Sequence, residues 1–118
     1  MMNIEVNGSV LKVKLCDNSS AEAVKDLLKK GPITMPMNDY AHMEKFGTFG
    51  QQLPQNDERI TTRPGDVILS EGNLLVIYYA PNTWNFTRLG KVQDMNADQL
   101  KEVLGKGNIT VTLSLDDE

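Results

Sequence analysis

His42 is the chain's one histidine, and it lies between Asp39 and Glu44 in the stretch Met35 to Gly47, MPMNDYAHMEKFG. An imidazole titrates near neutral pH and suits a general base. That chemistry needs a nucleophile within hydrogen-bond reach, and the stretch offers none. Asp39, His42 and Glu44 also make a mixed set of metal ligands, but their spacing matches no closed zinc pattern. If one strand runs through all three, alternation puts Asp39 and His42 on opposite faces and leaves His42 beside Glu44. The competing reading is a strand end and loop with exposed polar groups. No catalytic residue, metal ligand or cofactor is assigned on this ground.

A second constellation is Trp84, Phe86 and Arg88, with Tyr79 nearby. On a strand the first three share one face. Aromatic rings beside a guanidinium suit a shallow groove for a peptide or a carboxylate. Core packing is the rival, since large aromatics are usually buried. Asn82, Thr83 and Asn85 surround Trp84 and favour a loop there. Cys16 has no basic neighbour in sequence and reads as an inert thiol.

These residues need a frame, and the elements are legible. Asn7-Gly8 between Asn3 to Val6 and Ser9 to Leu15 supplies the two positive φ angles of a hairpin turn. Ser19 with Glu22 predicts a capped helix, with Val24, Leu27 and Leu28 on its apolar stripe. Lys29 and Lys30 suit its last turn, and Gly31-Pro32 ends it in a left-handed residue and a stop. Ile33, Met35 and Met37 alternate, while Pro36 predicts an edge strand or a bulge. Gln51 to Arg63 reads as a loop. Val67 to Ser70 and Leu74 to Tyr79 form a hairpin through Glu71-Gly72-Asn73, and the unbroken apolar second strand must be covered on both faces. Asn85 to Val92 is a further strand. Asn96 and Gln99 cap a second helix, Ala97 to Leu104, which Gly105 ends. Ile109, Val111, Leu113 and Leu115 alternate with polar residues, and Asp116 to Glu118 forms a frayed tail.

The 118 residues make one domain, residues 1–118, with a net charge of −4 and a single cysteine. Thinly spread basic residues argue against nucleic acid, no run is long enough for a membrane helix, and a lone cysteine excludes an internal disulfide. The chain opens without a basic-then-apolar signal segment. The cytoplasm is the expected compartment, with export open to a longer chain that carries such a segment. About eight short strands in consecutive hairpins and two short helices predict a mainly β fold. Closure removes sheet edges, so the expected form is a small, mostly antiparallel β-barrel.

The segments Asp17 to Leu28 (DNSSAEAVKDLL), Asn38 to Pro54 (NDYAHMEKFGTFGQQLP) and Pro64 to Val92 (PGDVILSEGNLLVIYYAPNTWNFTRLGKV) resemble the small bacterial cyclophilin-like barrel proteins. The resemblance covers nearly the whole chain and implies a closed cyclophilin-like barrel with two helices. It implies no particular reaction. Proline-isomerase cyclophilins carry an Arg ahead of a Pro-x-Phe-Met-x-Gln-Gly-Gly run. Here Phe46-Gly47 and Phe49-Gly50-Gln51-Gln52 echo its composition, but Arg59 is the first arginine. No catalytic residue carries over.

The expected function is non-enzymatic binding of a small molecule or short peptide, in a groove involving Tyr40, His42, Trp84, Phe86 and Arg88. The alternative is a peptidyl-prolyl isomerase with a divergent site in which Arg88 polarises the prolyl amide. A monomer or weak homodimer is expected, with no cofactor and no metal.

Overall fold

The computed structural model describes residues 1–116. Nine strands and two helices follow one another as β1 (Met2–Val6), β2 (Ser9–Leu15), α1 (Ser19–Lys29), β3 (Ile33–Tyr40), β4 (Glu44–Thr48), β5 (Glu58–Thr61), β6 (Asp66–Ser70), β7 (Leu74–Tyr78), β8 (Thr83–Val92), α2 (Ala97–Leu104) and β9 (Ile109–Leu115). The sheet order is β2-β1-β9-β3-β4-β7-β6-β8-β5, and β2 also pairs with β8. That last pairing closes eight antiparallel strands into a barrel and leaves β5 outside it, on the first half of β8.

Closure brings backbones close together at Gly90. A Cβ there would stand 2.5 Å from the Lys14 carbonyl oxygen, so only glycine lets β8 approach β2 at this point. Next to it, Val67 pairs with Gly90 and Ile68 with Arg88, which leaves Leu89 as the extra residue of a bulge.

Alternation fills two cores. Leu75 and Ile77 of β7 point into the barrel with Val67, Leu69 and Leu89. Val76 and Tyr78 point outward, where they pack with Ile68 and Phe86. This explains the unbroken apolar run of β7, which is covered on both faces. The outer cover is β5, whose Ile60 packs on this second cluster.

The expected hairpin forms, with Asn7 at φ 50° and Gly8 at φ 80°. The capping box of α2 is also present, with Asn96 and Gln99 bonding reciprocally. Several expectations need correction. The segment Gln51 to Arg63 is not all loop, because β5 lies within it. The cap of α1 is Asn18, whose side chain accepts from the Ala21 amide at 2.8 Å. Ser19 and Ser20 instead turn to the β5 approach, where Ser19 accepts from Asn56 and Ser20 donates to the Pro54 carbonyl. Gly31 has φ 144°, open to glycine but outside the left-handed helical region. Around Pro36 the expectation holds in part: β3 lies inside the sheet, but this segment is paired on one side only. Residues Ile33 to Met37 pair with β9, and the ladder to β4 covers only Asn38 to Tyr40. In the tail, Asp116 is held by Lys12 at 2.8 Å, while Asp117 and Glu118 lie outside the described residues.

Candidate functional site

The β3–β4 hairpin sorts its polar residues to two sides. Its register pairs Asn38 with Phe46, Asp39 with Lys45, and Tyr40 with Glu44. Directly opposed residues point to the same face, and the face alternates from pair to pair. Asp39 and Lys45 therefore go one way, and Tyr40, Glu44 and Phe46 the other.

On the first side, at the end of the barrel where β3 and β7 stop and β4 and β9 begin, Lys45 is fully buried (0 % exposed). Its Nζ lies 3.1 Å from Asp39 Oδ1 and donates to the Gly107 carbonyl at 2.5 Å. Asp39 also accepts a hydrogen bond from the Tyr79 hydroxyl. Burial would raise the Asp39 carboxyl, but the hydrogen bonds from Tyr79 and Lys45 and the Lys45 charge outweigh it and hold it below its usual range. Burial and the bond to Asp39 push the Tyr79 phenol upward.

His42 joins this side. The strand does not continue through it, because Ala41 and His42 turn the chain with φ 52° and 55°. The turn brings His42 Nδ1 to 3.5 Å from Asp39 Oδ2, while the imidazole itself is 99 % exposed. The expectation that Asp39 and His42 lie apart, and that His42 accompanies Glu44, is thus reversed. A hollow of about 580 Å³ lies here, lined by Asp39, His42, Tyr79, Lys101 and the Gly105–Gly107 turn. Among the described residues no group of three His, Cys, Asp or Glu side chains could hold a metal ion.

On the second side a groove of about 470 Å³ crosses the outer face from β3 to β8. Its floor is Leu74, Val76, Tyr78 and Phe86, and its walls include Tyr40, Phe46 and Trp84. Tyr40 and Trp84 are 60 % and 61 % exposed, although each is a large ring. Trp84 is not on a loop, as its polar neighbours suggested. It lies on β8 opposite Ile60 of β5. Tyr40 stands edge-on to Phe46 at 6.5 Å between centroids, and Tyr78 packs on Phe86 at 5.6 Å.

Glu44 is the buried acid of this groove, 9 % exposed. Burial raises its carboxyl, against the neighbouring Tyr78 hydroxyl, which pulls the other way. The Tyr78 phenol is pushed up to about 12, first by burial and then by the neighbouring Glu44. Asn82 Nδ2 donates to the Tyr78 hydroxyl at 3.2 Å and fixes its position.

Of the residues singled out in the sequence, Tyr40, Trp84 and Phe86 line this groove together. His42 lines the other hollow. Arg88 points along the same strand face, but its Nη2 is 3.6 Å from the buried Asp66 carboxylate, and it does not line the groove. Glu44, Phe46 and Tyr78 were missed as groove residues. The signal for Glu44 was its place opposite Tyr40 in a hairpin whose turn the sequence did not reveal. Cys16 lies near Arg88 after all, yet burial outweighs that charge and keeps its thiol raised.

The model of the cyclophilin-like family matches residues 4–114, nearly the whole chain. The chain belongs to the cyclophilin-like family. No curated protein matches this cyclophilin-like chain in sequence. Among solved structures it is similar to "Structure of McbB in complex with tryptophan", with a TM-score of 0.69 at 18 % identity. All of the cyclophilin-like chain is covered, but only 45 % of the McbB chain, so it spans less than half of that protein's length. At this identity the likeness is one of fold.

Proposed function

We propose that this cyclophilin-like domain is a binding module that takes a small molecule or a short peptide in the outer groove. One observation carries the reading. Two large aromatic side chains, Tyr40 and Trp84, stand more than half exposed over an apolar floor that β5 covers only in part. Exposed rings over a concave apolar surface are the usual make-up of a ligand site. McbB, similar in fold, is described in complex with tryptophan, so aromatic amino acids belong among the first ligands to be tried.

The test is a titration with metabolites and short peptides followed by amide and indole chemical shifts. Shifts clustered at Tyr40, Glu44, Val76 and Trp84 are expected. A library that leaves these resonances still would end the proposal.

A further inference from the structure

The groove's lining is sorted by charge as well as by polarity. The chain has one Trp, three Tyr and three Phe, and five of these seven line it. Both charged residues in its lining are carboxylates, Glu44 and Glu71, and among the described residues no Lys, Arg or His lines it. Of the basic residues near it in sequence, His42 turns to Asp39 in the other hollow, and three more are held by partners. Lys45 turns inward to Asp39 and the Gly107 carbonyl. Arg88 and Lys91 both face Asp66, at 3.6 and 3.5 Å.

Such a lining prefers one kind of visitor. Aromatic faces carry negative electrostatic potential and attract organic cations. A carboxylate has about four acceptor positions, and the Tyr78 hydroxyl is the polar neighbour that acts on Glu44, so capacity remains for N–H donors. Burial makes ionised Glu44 costly, and an arriving cation offsets that cost. An anion would meet two carboxylates and the ring faces with no counter-charge.

We infer that the groove's occupant carries an organic ammonium group, seated at the Glu44 carboxylate with the rings of Tyr40 and Trp84 lining the same hollow. This rests on the reading of the groove as a binding site and names its ligand class. A free primary amine and a lysyl side chain in a short peptide present the same chemistry.

Trp84 is the single tryptophan, so its fluorescence reports on the groove without labelling. Three probes of matched shape separate charge from contact: phenethylamine, 2-phenylethanol and 3-phenylpropionate. The amine should bind roughly tenfold tighter than the alcohol, as expected for a hydrogen bond to a charged group, and the carboxylate weakest. Added salt should narrow the gap. Glu44→Gln should remove the preference for the amine while leaving the affinity for the alcohol in place. Comparing N-acetyl-Gly-Lys-Gly amide with its norleucine analogue separates the two sources. A lysine peptide that outbinds phenethylamine assigns a peptide, and the reverse assigns a free amine. If alcohol and amine bind equally, or the propionate binds best, the ammonium inference is wrong and the binding module stands. If none binds, or if Trp84 fluorescence changes on dilution because a second copy fills the groove, both fall.

Discussion

Lys45 and Asp39 face each other across the β3–β4 ladder, their charged atoms 3.1 Å apart, with the lysine wholly withdrawn from water. The ammonium also reaches the Gly107 carbonyl, so it ties the hairpin to the turn between α2 and β9. Removing one partner of a buried pair strands the other charge and typically costs about 3–5 kcal/mol. Lys45→Met and Asp39→Asn should each lose stability on that scale by urea denaturation. The double variant should recover part of the loss, because replacing both partners is close to neutral. A cost below about 1 kcal/mol for Asp39→Asn would mean that the pair is not a lock.

The two carboxylates of this hairpin should show opposite pH signatures. Asp39 is lowered in the folded state, so its stabilisation is complete above the unfolded value of about 3.9 and is lost as pH falls through the folded value. Glu44 is raised, so the folded protein holds its proton more tightly than the unfolded chain does. Its contribution therefore worsens as pH rises from about 4.3 through the folded value. Glu44→Gln should be more stable than the parent at pH 7 and equal to it in acid, whereas Asp39→Asn should be less stable at pH 7 and converge with the parent in acid. Stability curves from pH 3 to 8 check both, and parallel curves for parent and variants would refute the assignment.

Trp84 and Phe86 are two residues apart on β8 and should separate binding from folding. Phe86 is buried in the outer cluster against Tyr78, and Phe86→Ala should cost about 3–5 kcal/mol. Trp84 is 61 % exposed, and Trp84→Ala should change stability by no more than about 0.5 kcal/mol while abolishing ligand-induced shifts in the groove. Thermal melts beside the titration decide the matter. A Trp84→Ala protein that unfolds as readily as Phe86→Ala would make the ring a packing residue.

How far the sequence reveals this arrangement depends on whether the deciding forces are local. The Asn7-Gly8 turn, the Asn96–Gln99 box and the alternation of β9 are set by neighbouring residues, and each is readable. Strand β5 is not, because an outer strand needs only one apolar contact, Ile60, and that gives no period to count. At the start of α1 three residues in a row, Asn18, Ser19 and Ser20, could cap. Long-range bonds from Ser19 and Ser20 to the Pro54–Asn56 segment decide for Asn18. The site is split for a similar reason. Ala41 and His42 take positive φ without the Gly or Asn that usually signals it. That unsignalled turn carries His42 to Asp39 and frees Glu44 for the groove.

The split bears on catalysis through Arg88. A cyclophilin-type isomerase needs a cationic donor beside the prolyl amide, and Arg88 is the arginine that shares a strand face with Trp84 and Phe86. Its guanidinium is 3.6 Å from an Asp66 carboxylate that is almost completely buried, and moving it to the groove would leave that carboxylate with Lys91 as its remaining ion-pair partner. Arg88→Ala should therefore cost stability while leaving groove affinity within about twofold, since its side chain does not line the groove. It should also leave any isomerisation of a proline peptide at the parent's rate. A proline-peptide assay on parent and variant, beside the Trp84 titration, checks this. A parent that outpaces the uncatalysed exchange of tens of seconds, together with a variant that does not, would return Arg88 to the reacting centre.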